Sequence, residues 1–337
     1  MQTRFSQSPF KGTRKAGAAL SAVLIMFCVA GQALALPFGK AKDADEEEAP
    51  VLVPKLKLTK EQQTEFESSM KNGNAYLKQN SLELALICFM RCATLNPCSA
   101  DSHLGIAYCY AGLKKTEQAI SEIFESLKWD PNKTQARALL GDIMMAEARW
   151  DEAGGQYLQI LKQAPDDTSA RGNLATCFIM MGQLEPAVGQ YKYILEKDPK
   201  SATAAYNLAA LYELKNDYNE AMIYYKKAIE LNPKNANAFC SLAKCLISRK
   251  DYKASQTLLD HAKKIAPDSY FVHLNQGYLN EVQEKTREAI EEYTRAVALN
   301  PKDADSKRNL ERLLNNGGSG GKIKPGSQIS GLKKTFH

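Results

Sequence analysis

Between Asn207 and Pro233 the chain reads NLAALYELKNDYNEAMIYYKKAIELNP. Its apolar residues recur at helical spacing. The pattern breaks once, at KND, and stops at NP. Side chains three and four residues apart share a helix face, so the stretch predicts two short helices joined by a tight break. Proline then recurs at 97, 131, 165, 199, 233, 267 and 301, always 34 residues apart. A fixed period of this length is the mark of a repeat architecture.

With that proline as position 32, repeats begin at Phe66, Ala100, Thr134, Thr168, Ala202, Ala236 and Tyr270. Position 8 is small throughout: Gly73, Ala107, Gly141, Ala175, Ala209, Ala243 and Gly277. Position 20 is Ala85, Ala119, Ala153, Ala187, Ala221, Ser255 and Ala289. Position 24 is large: Phe89, Ile123, Tyr157, Tyr191, Tyr225, Leu259 and Tyr293. Two helices approach closely only where the facing side chains are small, and bulky neighbours fill the space on either side. The proline ends each pair, because the residue before it is pushed out of helical geometry. One pair cannot bury its apolar face alone, so neighbours must stack.

This pattern resembles the tetratricopeptide repeat family, without a gap over residues 66–303. The resemblance implies an all-α fold, a right-handed α-solenoid (superhelix) of antiparallel helix pairs with helix A lining a concave groove. Departures fall at the ends: Asn72 and Gln276 at position 7 and Asn280 at position 11 put polar groups in the terminal cores. Residues 304–315 continue the helix A pattern and predict a capping helix with one wet face, which completes an array over 59–315. Residues 316–337, rich in Gly, Ser and Lys, predict a flexible basic tail.

The N-terminus reads differently. Arg4, Lys11, Arg14 and Lys15 precede the apolar run Ala16 to Ala35, which closes on Ala33-Leu34-Ala35. Residues 1–35 have the anatomy of a secretory signal peptide, or of a retained membrane anchor. Either way the chain beyond them is expected to be exported: periplasmic, secreted, or held at the inner membrane by residues 16–35. Residues 36–58 form an acidic, proline-containing linker, where Pro50 and Pro54 forbid a regular helix. The sequence TKEQ at Thr59 predicts a capping box that opens the folded body.

Charge narrows the range of partners. The net +6 comes from +4 in residues 1–35, −2 in 36–65 and +4 in 316–337, so residues 66–315 sum to zero. A neutral body has no electrostatic footprint for nucleic acid. Cys109, Cys177 and Cys245 all fall at position 10, a small buried slot, and Cys92 falls at position 27. Cys98 stands in an inter-repeat loop and is the candidate reactive or paired thiol, with Cys88 or Cys92 as mates. The spacing of these three does not match a zinc site. His103 and His273 share position 4, which reads as packing rather than catalysis. No phosphate loop, metal-binding or nucleophile motif appears, so neither an enzyme nor a cofactor is expected.

Function is therefore expected on helix A. The resemblance assigns partner contact to positions 2, 5, 6, 9 and 12. Position 6 carries Asn173, Asn207 and Asn275, then Asn309 in the cap. An amide pairs with a peptide group whatever its side chain, so this row reads either as a ladder for an extended backbone or as mere family consensus. Tyr206, Glu213, Lys244, Tyr278 and Glu281 would flank it. The sequence thus points to an exported scaffold that binds an extended segment of another protein. The alternative is a structural, self-associating repeat protein of the cell envelope. Membrane contact follows only if residues 16–35 are retained.

Overall fold

The computed structural model describes residues 57–316. The expected signal or anchor segment, all of the linker up to residue 56, and the tail from residue 317 lie outside them. The described chain is helical throughout, with no strand. Its contacts form two compact units, residues 57–190 and 191–316, with the boundary inside one helix.

The first unit holds α1 (Lys60–Lys78), α2 (Leu82–Leu95), α3 (Ala100–Gly112), α4 (Thr116–Trp129), α5 (Thr134–Ala146), α6 (Trp150–Gln163) and α7 (Thr168–Met180). The boundary helix is α8 (Leu184–Lys197). The second unit continues with α9 (Ala202–Leu214), α10 (Tyr218–Leu231), α11 (Ala236–Ser248), α12 (Tyr252–Ile265), α13 (Tyr270–Val282), α14 (Thr286–Leu299) and α15 (Ala304–Asn316).

Local chemistry sets these boundaries. Thr59 and Gln62 form a reciprocal capping box at α1, with bonds of 2.9 and 3.2 Å. Side chains of Ser99, Asp167, Ser201 and Asn235 accept from the first turns of α3, α7, α9 and α11. These bonds satisfy N–H groups that a helix start leaves unpaired. At the other end, residues before the repeat prolines leave helical geometry. Asn96, Asp130, Asn232 and Asn300 all have φ between −136° and −140°. Their side-chain oxygens accept from the N–H two residues on, at 3.2 to 3.3 Å, and close the turn around the proline.

In the three pairs with glycine at position 8, the large position-24 side chain lies against that glycine. A Cβ added to Gly141 would sit 2.8 Å from the Tyr157 ring, and one added to Gly277 would sit 2.7 Å from Tyr293. Phe89 closes on both Gly73 and Gly105 in the same way. The position-20 residues are fully buried, as are Cys92, Cys109, Cys177 and Cys245. At position 27, Cys92 Sγ donates to the Phe66 carbonyl at 3.6 Å and Ser126 Oγ to the Ala100 carbonyl at 2.8 Å. These small polar groups tie helix B to the start of helix A.

The two position-4 histidines have a structural job. His103 Nδ1 meets Glu122 Oε2 at 2.7 Å, and Nε2 donates to the Pro97 carbonyl at 2.9 Å. His273 repeats the arrangement with Glu292 and Pro267. Arg137 and Arg171 hold the carbonyls of Pro131 and Pro165 from the same register. Position 4 is thus a clamp on the preceding turn. The acceptors on both sides of the His103 ring favour the imidazolium. The Glu122 bond raises its pKa above the ordinary value, against a smaller opposing effect of burial.

One feature of the turns is not visible in the hydrophobic pattern. Asn80, Lys114, Ala148, Asn216, Lys250 and Glu284 all have φ near +60°, and Gly182 has φ of +74°. Each closes the break between helix A and helix B, and only one of them is glycine. A side chain in this left-handed region is disfavoured by about 1–2 kcal/mol. A Cβ added at Gly182 meets no atom within 4 Å, so only the backbone would resist it.

Two predictions follow from these turns and clamps. Gly182→Ala should lose about 1 kcal/mol, and Ala148→Gly should gain a smaller amount because glycine has more chain entropy to lose; urea midpoints measure both. For His103 the folded pKa is the raised one. Its stabilisation is therefore complete below the unfolded value of about 6.5 and is lost as pH rises through the folded value. In urea titrations across that range, the stability deficit of His103→Gln should be widest at acid pH and narrow on the alkaline side.

Candidate functional site

The expected partner face is built on helix A of each pair, and its chemistry comes from the helix B behind it. Three position-24 tyrosines pass their hydroxyls through the close contact to a carboxylate on helix A. In the first unit Tyr157 donates to Asp142 Oδ1 at 2.6 Å. In the second, Tyr225 donates to Glu213 Oε2 at 2.7 Å and Tyr293 to Glu281 Oε2 at 2.9 Å. A buried tyrosine needs a partner for its O–H, and a carboxylate is the strongest acceptor available. Burial, reinforced by the adjacent carboxylate, drives the pKa of Tyr225 and of Tyr293 well above the ordinary value.

The next helix A along the chain then supplies a further polar group. Asn173 on α7 donates to Asp142 Oδ1 at 3.4 Å. Lys244 on α11 donates to Glu213 Oε1 at 2.8 Å. Arg312 on α15 donates to Glu281 Oε2 at 2.6 Å. Each unit therefore has tyrosine–acid–donor chains that stitch one helix pair to the next. In the first unit, burial raises the Asp142 pKa and the Tyr157 bond pulls it back. Burial also pushes Tyr108 up to about 12, aided by the Asp142 charge. In the second, burial alone would lower the Lys244 pKa, but the Glu213 carboxylate outweighs it and leaves it raised.

These contacts sort the residues expected on the groove. Tyr206, Asn207, Glu213, Lys244 and Tyr278 lie half-buried in the second unit, and Asn309 is half-buried on α15. The Tyr206 ring lies 5.6 Å from that of Tyr225, and Asn207 Nδ2 donates to the Tyr191 hydroxyl at 3.3 Å. The Lys244 charge acts on Tyr278, opposing the rise that burial gives its pKa. Asn173 lies half-buried in the first unit, committed to Asp142.

Two expectations need correction. Asn275 is only 4% exposed, and its amide donates back to the Phe271 carbonyl of its own helix at 2.7 Å. Glu281, at 7% exposure, is locked between Tyr293 and Arg312. The reason is the capping helix: it brings an arginine against α13, and Glu281 answers that charge rather than a partner. The amide row is therefore interrupted. Of the two alternatives for Cys98, reactive or paired, the structure shows a half-buried free thiol; Cys88 and the buried Cys92 are free as well, and the described residues contain no disulfide. Burial pushes the Cys92 thiol up to about 11.

Tyr157, Tyr225, Tyr293, Asp142 and Arg312 are the residues that sequence reasoning missed as polar participants. A signal was there. An acid stands at position 9 or 12 of helix A only in repeats whose position 24 is tyrosine with Asp142, Glu213 or Glu281. The repeats with Phe89, Ile123 or Leu259 in that slot have none.

Three family models described as tetratricopeptide repeat match residues 68–97 and 100–133, 179–236, and 214–274. Anaphase-promoting complex subunit CDC16 of Saccharomyces cerevisiae is 33% identical over 72 residues, which is 21% of this chain and 9% of that protein. Among solved structures, a tetratricopeptide repeat protein from Parabacteroides merdae superposes with a TM-score of 0.59 at 13% identity, over 75% of this chain and all of that one (100%). Pseudomonas aeruginosa pilF superposes with a TM-score of 0.55 at 18% identity, over 67% of this chain and 100% of that one. At such identities the structural likeness concerns the fold. Repeats of this kind make scaffolds suited to contact with other proteins. With its period, its helix pairs and these matches together, the chain belongs to the tetratricopeptide repeat family and is an all-α helical solenoid.

Proposed function

We propose that the chain is a scaffold that grips an extended segment of another protein on the helix A face of its second unit. The face centres on Tyr206, Asn207, Lys244 and Tyr278. The observation that carries this reading is Lys244. Its side chain is 37% exposed, yet its ammonium is already held by Glu213 at 2.8 Å. A cation fixed in advance loses little freedom when a partner carboxylate or carbonyl arrives. Tyr278 and Tyr206 add aromatic surface, and Asn207 adds an amide for a peptide group. The CDC16 relative is named as a subunit of a complex, which accords with a scaffold role.

Export completes the proposal. Its support is the basic start, the apolar run and the Ala33-Leu34-Ala35 ending.

Two measurements test the reading. A displayed library of random peptides, panned against the full chain, should enrich binders. Lys244→Ala and Tyr278→Ala should each weaken their binding about tenfold, or 1.4 kcal/mol. Ile223→Asp, on a helix B surface, should leave it unchanged. No enrichment, or binders indifferent to both face variants, would favour the self-associating alternative instead. For export, the intact mass of chain recovered from the cell envelope should begin at Leu36. Unprocessed chain confined to the cytoplasm would remove the proposal.

A further inference from the structure

One link in the first unit differs from its counterparts in charge. Asp142, Glu213 and Glu281 each accept a tyrosine hydroxyl from helix B, and each meets a donor 31 residues further along the chain. For Glu213 and Glu281 that donor is a cation, Lys244 at 2.8 Å and Arg312 at 2.6 Å. For Asp142 it is the neutral amide of Asn173, at a long 3.4 Å. Both bonds to Asp142 end on Oδ1. Among the described residues no cation pairs with this carboxylate, and no hydrogen bond reaches its Oδ2.

The surroundings leave that charge to be answered from outside. Asp142 is half-buried, and a charge withdrawn from water without a countercharge is costly. The arginines of the two helices involved are engaged elsewhere. Arg137 holds the Pro131 carbonyl and Gln156, and Arg171 holds the Pro165 carbonyl and Gln190. The space beside the link is open. Gly172, next to Asn173 inside α7, would place an added Cβ where no atom lies within 4 Å. Glycine weakens a helix interior, and here no packing partner requires it. In the following repeat the same position 5 is filled by Tyr206. On the other side, Tyr108 occupies the slot of Asp142 one repeat earlier, stays half-buried and feels the Asp142 charge. An aromatic ring near a carboxylate suits a cation, which both attract.

We propose that Asp142 receives the ammonium or guanidinium of a lysine or arginine on a partner protein. The partner's cation does for Asp142 what Lys244 and Arg312 do for Glu213 and Glu281 from within the chain. It pairs with Oδ2, its aliphatic stem lies over the gap at Gly172, and the Tyr108 ring flanks it. Such a site selects partners by charge, because an acidic or neutral side chain there leaves the carboxylate unanswered. It lies in the first unit, has the opposite sign to the Lys244 face, and does not rest on the reading of that face.

Selection on two variants tests this. A displayed library of random peptides is panned against the full chain, Asp142→Asn and Asn173→Lys. The unaltered chain should enrich peptides that share a lysine or arginine at one aligned position. Asp142→Asn keeps an acceptor for the Tyr157 hydroxyl but removes the charge, so the shared basic position should disappear from its selected peptides. Asn173→Lys supplies the cation from within the chain, in the manner of Lys244, and should close the site. A basic peptide selected on the unaltered chain should bind each variant about tenfold more weakly. Asn173→Lys retains the carboxylate, so it carries the test if Asp142→Asn fails to fold. Neither readout involves Lys244 or Tyr278, so this proposal and the second-unit face fail separately. Selected peptides with no shared basic residue, or a basic peptide that binds either folded variant as tightly as the unaltered chain, would overturn the proposal.

Discussion

The approach of helix B to helix A at one small residue is the constraint on which the other features depend. At Gly141 and Gly277 even a single added carbon would fall inside the van der Waals shell of the opposing ring. That contact sets how close the helices come, and so how far the position-24 ring reaches. Because the ring reaches through, its hydroxyl emerges on the helix A side. The carboxylates that receive it then draw Asn173, Lys244 and Arg312 from the next helix A. A packing requirement is thereby converted into a polar link between neighbouring pairs.

These links differ in what they leave open. Glu281 and Arg312 are almost wholly buried, with one oxygen and one nitrogen still unpaired, so they serve the end of the array. Breaking such a pair leaves a buried charge and is strongly destabilising. Glu213 and Lys244 use the same register but stay partly in solvent. The same geometry therefore yields a structural clasp beneath the capping helix and an accessible, oriented cation two repeats earlier. This difference in exposure separates the proposed partner face from the surrounding scaffold.

The turns show a similar economy of means. Every break from helix A to helix B uses one left-handed residue, yet only Gly182 is the residue type that adopts it freely. Stacking of the flanking helices holds Lys114, Ala148, Lys250 and Glu284 in that conformation. The prolines and the Asn or Asp before them act the other way, since their local chemistry alone ends helix B.

The amino-acid sequence by itself determined the helical class, the 34-residue period and the identity of the buried slots, because these rest on local rules: side-chain size, helix periodicity and proline geometry. The capping box at Thr59 and the burial of Cys109, Cys177 and Cys245 were legible for the same reason. The tertiary structure alone decided which helix A residues face solvent. Asn207 and Asn275 occupy the same slot, yet one bonds a tyrosine at a half-exposed surface and the other is sealed into its own helix. Position within a repeat sets a direction, whereas exposure depends on what the neighbouring element brings, and a capping arginine does not announce its partner 31 residues away.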